Sequence, residues 1–165
     1  MRVLLCLLSK QHVPNLLAIH HYRPDQLVLV ESNHSRKQHF AAHLLHALQL
    51  GGLDYTNHPE EERSHIEPLE SEDDLNAVRT ALSRALNRYP GAEWLVNVTG
   101  GTKPMSIATY DFFNGLILRK VFSGRILYTN NALPGAIIDL DSHVSENVDH
   151  RVSIKQFLAG YGFES

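Results

Sequence analysis

The sequence predicts a doubly wound α/β fold, with a mainly parallel sheet, helices on both faces and a C-terminal antiparallel hairpin. Three observations carry this. Short apolar runs with strand character alternate with segments of helical periodicity. The runs at residues 3–8 and 26–31 are almost continuously apolar, as strands covered on both faces must be. The 165 residues, 43% hydrophobic and 20% charged, suffice for a single domain, 1–165, with its own core.

The elements follow in order. Residues 3–8 form a first buried strand; the run is short, is broken by Ser9-Lys10-Gln11, and lacks the small-residue cleavage site of a signal peptide. Residues 13–22 form a short helix with Pro14 in its first turn, ended at Arg23-Pro24 because the residue before proline avoids helical angles. Residues 26–31 are the second strand. Residues 36–50 carry Phe40, Leu44, Leu45 and Leu48 at helical spacing, and Gly51-Gly52 stops them. Residues 53–70 are polar and punctuated by proline and are expected to be an exposed loop, with a short strand at most near Tyr55. Residues 71–89 read as a helix capped by Ser71 with Asp74 at the reciprocal position, burying Leu75, Val78, Leu82, Ala85 and Leu86. A strand over 93–98 and a helix over 103–114 follow, the latter with Pro104 in its first turn and Ile107, Ala108 and Phe112 facing inward. Residues 125–129 and 136–140 are two late strands joined by Asn130-Asn131-Ala132-Leu133-Pro134-Gly135, and Ser153 caps a final helix to residue 159.

Composition excludes several classes. No apolar stretch reaches the roughly 18–20 residues that span a bilayer, so no membrane partner is expected. The single cysteine, Cys6, rules out an internal disulfide and a cysteine zinc cluster, and a cytoplasmic setting fits. The formal charge of −3 with histidine neutral is unlike that of a protein holding nucleic acid by bulk charge. Any polyanion must be caught by a local set of donors. The 11 histidines would carry the charge from −3 to +8 if all were protonated, so association is expected to respond to pH.

The most informative stretch is Thr99-Gly100-Gly101-Thr102-Lys103, where a strand meets a helix. In open α/β sheets, ligands bind beyond the carboxyl ends of the strands. A second loop, Ser9-Lys10-Gln11-His12, falls on the same edge. Two glycines let the backbone bring its amides close to a ligand, and the helix start adds unpaired N–H groups and partial positive charge. Thr99, Thr102 and Ser106 add hydroxyls and Lys103 a full charge. This is anion chemistry, and phosphate suits it best. The pattern is neither a Walker A loop nor GxGxxG. A tight turn without ligand would also use two glycines, but the lysine and hydroxyls crowded around them argue for a site.

The stretch NVTGGTKPMSIATYDFF (97–113) resembles the signature of CARF domains (CRISPR-associated Rossmann fold), above all those of cyclic-oligoadenylate-activated type III CRISPR accessory nucleases. LLSKQHVPN (7–15) is similar to the family's first binding loop, and SIKQFLAGYG (153–162) to its closing segment. The resemblance thus spans nearly the whole chain. It implies a Rossmann-like two-fold homodimer that binds a cyclic oligoadenylate, most commonly cyclic tetra-adenylate, across the dimer axis in antiviral signalling. It implies ligand-binding roles for Ser9, Lys10, Gln11, Thr99, Gly100, Gly101, Thr102 and Lys103. Asn33 and Asn130, each following a predicted strand, are positional candidates for adenine contacts. No cofactor and no metal are implied.

Relatives of this kind usually continue into an effector, often a metal-dependent nuclease; this chain stops at Ser165, which leaves a sensor domain lacking its effector or a stand-alone protein. The latter resembles a ring nuclease, in which the ligand's own 2′-hydroxyl attacks the adjacent phosphorus. Lys103 would then stabilise charge on the phosphate and Ser9 would position the attacking group, with His12 a weaker candidate base. A Rossmann-like nucleotide-phosphate-binding domain with a regulatory partner is the third possibility.

Other clusters carry bland readings. His39, His43 and His46 share a helical face with no completing ligand. His20-His21 ends a helix, where positive charge is welcome. Asp139 and Asp141 read as a solvated strand end, the acidic 59–67 stretch as a solvated loop, and Trp94 and the Tyr110-Phe112-Phe113 group as core or dimer contact.

Overall fold

The computed structural model describes residues 1–130 and 135–163. In chain order its elements are β1 (Arg2–Leu7), α1 (Val13–Tyr22), β2 (Gln26–Glu31), α2 (Asn33–Lys37), α3 (Phe40–Leu50), β3 (Ser64–Pro68) and α4 (Leu75–Arg88). They continue with β4 (Glu93–Asn97), α5 (Lys103–Leu118), β5 (Gly124–Asn130), β6 (Ala136–Asp139), β7 (Ser145–Asn147) and α6 (Ile154–Gly160). The strands form one sheet in the order β3-β2-β1-β4-β5-β6-β7. The pairings from β3 through β5 are parallel, and β6 and β7 add antiparallel strands.

Alternation along the central strands builds two cores. Val3, Leu5 and Leu7 face one side with Val28, Val30 and Val96, under Val78, Leu82 and Ala85 of α4 and Met105, Ala108 and Phe113 of α5. Leu4, Cys6 and Leu8 face the other with Leu27, Leu29 and Leu95, under Leu16 and Ile19 of α1, Leu44 and Leu48 of α3, and Ala159 of α6. The apolar runs reflect this double coverage. The chain winds outward from β1 to β2 and β3, then returns to place β4 on the other side of β1. Crossovers therefore diverge between β1 and β4, opening a crevice at their carboxyl ends.

Several local expectations give way to tertiary structure. The helix expected over 36–50 is two helices, because His39 adopts φ 59 in the left-handed region and breaks it. The first piece starts earlier, capped by Ser32, which accepts from the Ser35 amide. The loop expected over 53–70 contains β3, paired along β2 from Ser64 to Pro68. Its polarity misleads because Glu67, 4% exposed, is held by Arg84 at 2.7 Å and His65 at 2.8 Å. Tyr55 starts no strand; its buried hydroxyl donates to the Pro24 carbonyl at 2.7 Å. Helix α4 is capped by Asp74, not Ser71, which leaves Leu75 40% exposed. Helix α5 runs on to Leu118, and it is Phe113 that is fully buried, while Ile107 is 63% exposed. A third late strand, β7, joins the expected pair. Residues 131–134 of their predicted connection lie outside the described residues.

Candidate functional site

The crevice between β1 and β4 receives both loops singled out in the sequence. Residues 9–12 leave the end of β1 and enter α1; residues 98–102 leave β4 and enter α5. The two are in close contact. A Cβ on Gly100 would fall 2.8 Å from the Leu7 carbonyl oxygen and 3.3 Å from Ser9 Oγ, and one on Gly101 3.2 Å from Leu7 Cβ. Both glycines have positive φ, +102° and +68°. Each is required twice, by its backbone angles and by the approach of the neighbouring loop.

Beneath the loops lies a buried polar hub. Asn97, fully buried, accepts through Oδ1 from the Thr99 amide at 3.2 Å and the Thr129 hydroxyl at 3.3 Å. Its Nδ2 donates to Asn15 Oδ1 at 3.0 Å. Asn15 in turn donates to the Leu7 carbonyl at 2.8 Å, and Thr99 Oγ1 accepts from the Thr129 amide at 2.7 Å. One network thus ties the ends of β1, β4 and β5 to the start of α1, and each amide side chain has its partners in place. The sequence reading missed Asn15, Asn97 and Thr129. Their signal was there: polar residues set inside otherwise apolar strand and helix patterns.

The hydroxyls divide by their commitments. Thr102 caps α5, accepting from the Met105 amide at 3.3 Å. Ser106 donates to the Val98 carbonyl at 2.7 Å, so its proton is spent inside the protein. Ser9 Oγ donates to the Gln11 carbonyl at 3.0 Å, which closes the first loop and leaves its lone pairs for an incoming donor. Lys10, Gln11 and Lys103 are exposed, and neither lysine forms an ion pair among the described residues. Neither α1 nor α5 carries an acidic residue in its first turn, so both helix starts keep their positive character. Asn33 and Asn130 lie on the same edge, after β2 and at the end of β5, and both are exposed. Asn33 Oδ1 already accepts from Arg36 at 2.7 Å.

His12, which closes the first loop, is 4% exposed. Burial pushes its pKa below the ordinary value, the Lys10 backbone pulls the other way, and His43 adds to the lowering. A neutral ring turned into the protein is poorly placed to act as base toward a ligand on the shelf.

Helix α5 projects a stripe away from this site. Ile107, Tyr110 and Leu118 are 63%, 39% and 73% exposed and share with Lys103 the face set by helical spacing. Among the described residues, no group of three or more His, Cys, Asp or Glu is arranged to hold a metal ion. No helix among them is long and apolar enough to cross a membrane.

Comparison with known proteins finds the Card1 CARF domain family matching residues 3–157. Three solved structures share the fold. Can2 from Sulfobacillus thermosulfidooxidans, in complex with cyclic tetra-adenylate, aligns with a TM-score of 0.80 at 21% identity, covering 99% of this chain and 42% of that one. The protein VC1899 from Vibrio cholerae aligns at 0.75 and 12% identity, covering 98% and 39%. Enterococcus italicus Csm6, bound to cyclic hexa-2′-fluoro-hexa-dAMP, aligns at 0.58 and 21% identity, covering 81% and 35%. The chain therefore spans about two fifths of the length of these structural relatives or less. A comparison with curated proteins finds no match.

Proposed function

The chain belongs to the Card1 CARF domain family, and from that premise we propose that it binds a cyclic oligoadenylate, most simply cyclic tetra-adenylate, as a messenger of type III CRISPR antiviral signalling. The observation that carries the reading is the shelf where the Ser9–Gln11 and Thr99–Lys103 loops meet. There, the start of α5 and the exposed Lys10 and Lys103 meet solvent on the two loops, neither lysine in an ion pair among the described residues. Each phosphodiester of the ring carries one negative charge. Main-chain amides of Gly100, Gly101 and Thr102 and the Lys103 ammonium offer donors, and each charge-assisted hydrogen bond is worth roughly 1.5–3 kcal/mol. Such contacts must overcome the long-range repulsion of a protein of net charge −3. Lys10, Gln11, Asn33 and Asn130 complete the proposed contacts. Can2, solved with cyclic tetra-adenylate, supports this choice, and Csm6, solved with a six-nucleotide cyclic analogue, supports the ligand class.

The ring would lie across a homodimer axis. A four-fold repeated ligand presents the same half to each of two identical shelves. The exposed Ile107, Tyr110 and Leu118 stripe on α5, continuous with Lys103, supplies an apolar face to bury against its twin. The reading extends to one domain over 1–165, to an effector outside these residues that responds to the bound state, and to a cytoplasmic setting. A single buried free thiol, Cys6, accords with that setting.

One observation favours a second activity, slow cleavage of the ring. Ser9 Oγ keeps its lone pairs on the shelf that Lys103 borders. Ser9 would orient a ribose 2′-hydroxyl in line with its phosphorus while Lys103 stabilised the phosphorane charge. The 2′-oxygen bonds to phosphorus as its proton leaves, the bond to the 5′-oxygen breaks, and that oxygen takes up a proton. One such step opens the ring to linear tetra-adenylate, and a second on the partner's half gives two linear di-adenylates with 2′,3′-cyclic phosphates. Incubation of the protein with cyclic tetra-adenylate in EDTA, followed by chromatography, separates the two. Intact ring with measurable binding supports the sensor, di-adenylate products establish the nuclease, and no binding to any ring size overturns both.

A further inference from the structure

We infer that His12 is a positioning residue, its imidazole acting as a strut that locks the Ser9–Gln11 loop against α6 through a notch left by Gly160. The inference rests on the reading of that loop as part of the ligand shelf and deepens it by naming what fixes the loop in place.

His12 is unsuited to the conventional tasks of its position. His12 occupies the N-cap position of α1 yet makes no side-chain cap, where Ser, Thr, Asp or Asn would satisfy an open amide. Its ring is 4% exposed, and neither Nδ1 nor Nε2 makes a hydrogen bond of good geometry, the Lys10 backbone being the one polar group that favours its charged form. Burying a poorly partnered imidazole opposes folding, and the packing of the ring is what can offset that cost. Gly160 shows what that role is. A Cβ built there would fall 2.0 Å from Nε2, 2.1 Å from Cδ2 and 2.4 Å from Cε1. The ring edge thus occupies the space that any other residue would fill with its own side chain.

The ring is also hemmed in from its flanks. Tyr161 meets it edge-on at 4.7 Å between centroids, and Phe157 lies at 5.8 Å. Tyr161 is half-buried and Phe157 43% exposed, so admitting a methyl group would push the ring against Tyr161 and out of the notch. Helix α6 is itself anchored at its far end. Ser153 and Gln156 form a capping box, and Gln156 Nε2 donates to the Ala47 carbonyl at 3.0 Å while contacting His20 Nε2 at 2.9 Å. The same device recurs just beyond the helix, where a Cβ on Gly162 would fall 2.7 Å from the His43 ring. The backbone that follows Gln11 is therefore braced by an anchored helix from a separate part of the chain, which would set the aim of the loop's donors.

A double-mutant cycle tests this with two readouts, affinity for cyclic tetra-adenylate and amide hydrogen exchange of residues 9–12 in the free protein. Gly160→Ala should expel the ring, weaken ligand binding about tenfold or more and speed exchange in the loop. His12→Ala should do the same by emptying the notch. In the His12→Ala background, Gly160→Ala should add nothing, since the methyl then enters vacant space. If Gly160→Ala alone fails to fold, the strut still predicts a folded double variant, and failure of that variant too would overturn it. Equal effects of Gly160→Ala with and without His12, or no change in loop exchange, would likewise overturn it. If the unaltered protein binds no ring, the functional reading fails, and the exchange measurements alone decide the strut.

Discussion

Replacing Asn97 by Leu tests the polar hub beneath the shelf. The two side chains are close in shape, so the change removes hydrogen bonds without opening a large cavity. Asn97 currently serves the Thr99 amide, the Thr129 hydroxyl and Asn15 Oδ1. Thr99 is half-buried and can recover a bond to water. Thr129 and Asn15, 2% and 1% exposed, cannot without rearrangement. Two stranded buried groups at about 1–3 kcal/mol each give a loss of about 2–6 kcal/mol. For a chain of this length each kcal/mol moves the melting temperature by about 2–4 °C. A central loss of about 4 kcal/mol therefore predicts a fall of roughly 8–16 °C. Thermal unfolding followed by circular dichroism measures this, and hydrogen exchange should show the greatest loosening at residues 97–103. A melting temperature within about 2 °C of the unaltered protein would refute the reasoning, since a hub that costs so little to remove cannot be what holds the two loops together.

Three further outcomes are expected. Gly100→Ala forces a side chain into positive φ and against the Leu7 carbonyl; it should destabilise by at least about 1–3 kcal/mol and abolish ring binding, as urea unfolding and titration will show. Stability should fall on acidification: burial, with His150 and Arg23 nearby, lowers the folded pKa of His20 from 6.5 to about 4. Between those values the unfolded chain holds a proton that the folded chain lacks, so unfolding free energy should drop by about 1.4 kcal/mol per pH unit for this group. Urea titrations across that window should show the slope, and His20→Asn should flatten it. Finally, Ile107→Glu with Leu118→Glu should leave each chain folded, because both side chains are largely exposed within it, but should shift sedimentation toward monomer, lower the melting temperature only by the lost association so that it no longer depends on concentration, and weaken ring binding in parallel.

Much of the architecture was legible because burial on both faces writes itself into the strands. Residues 13–22 and 26–31 match α1 and β2 as predicted, and the glycine pair marked the turn into α5. What stayed hidden depended on partners distant in the chain. Strand β3 reads as a polar loop because Glu67 is neutralised by Arg84 from α4, a pairing no local pattern reveals. The break between α2 and α3 rests on one residue, His39, in left-handed backbone conformation, which only a few per cent of non-glycine residues adopt, histidine among the more frequent of them. The two shelf loops could be found from their chemistry; the hub that sets them left only three isolated polar residues in apolar patterns, with nothing to say that they meet. Asn15, Asn97 and Thr129 come from three separate elements and meet only after the sheet is assembled. His12 shows the limit from the other side: its place beside the loop suggested acid–base chemistry, whereas its ring is turned into α6.

The central claim is that anion donors at the Thr99–Lys103 corner hold a cyclic oligoadenylate shared by two subunits. Isothermal titration of cyclic tetra-adenylate into the protein and into Lys103→Ala tests it most directly. The account predicts one ring per two chains for the unaltered protein. Losing one charge-assisted contact of about 1.5–3 kcal/mol from each subunit should weaken affinity by at least about tenfold. One ring per chain, or equal affinity in the two proteins, would contradict it.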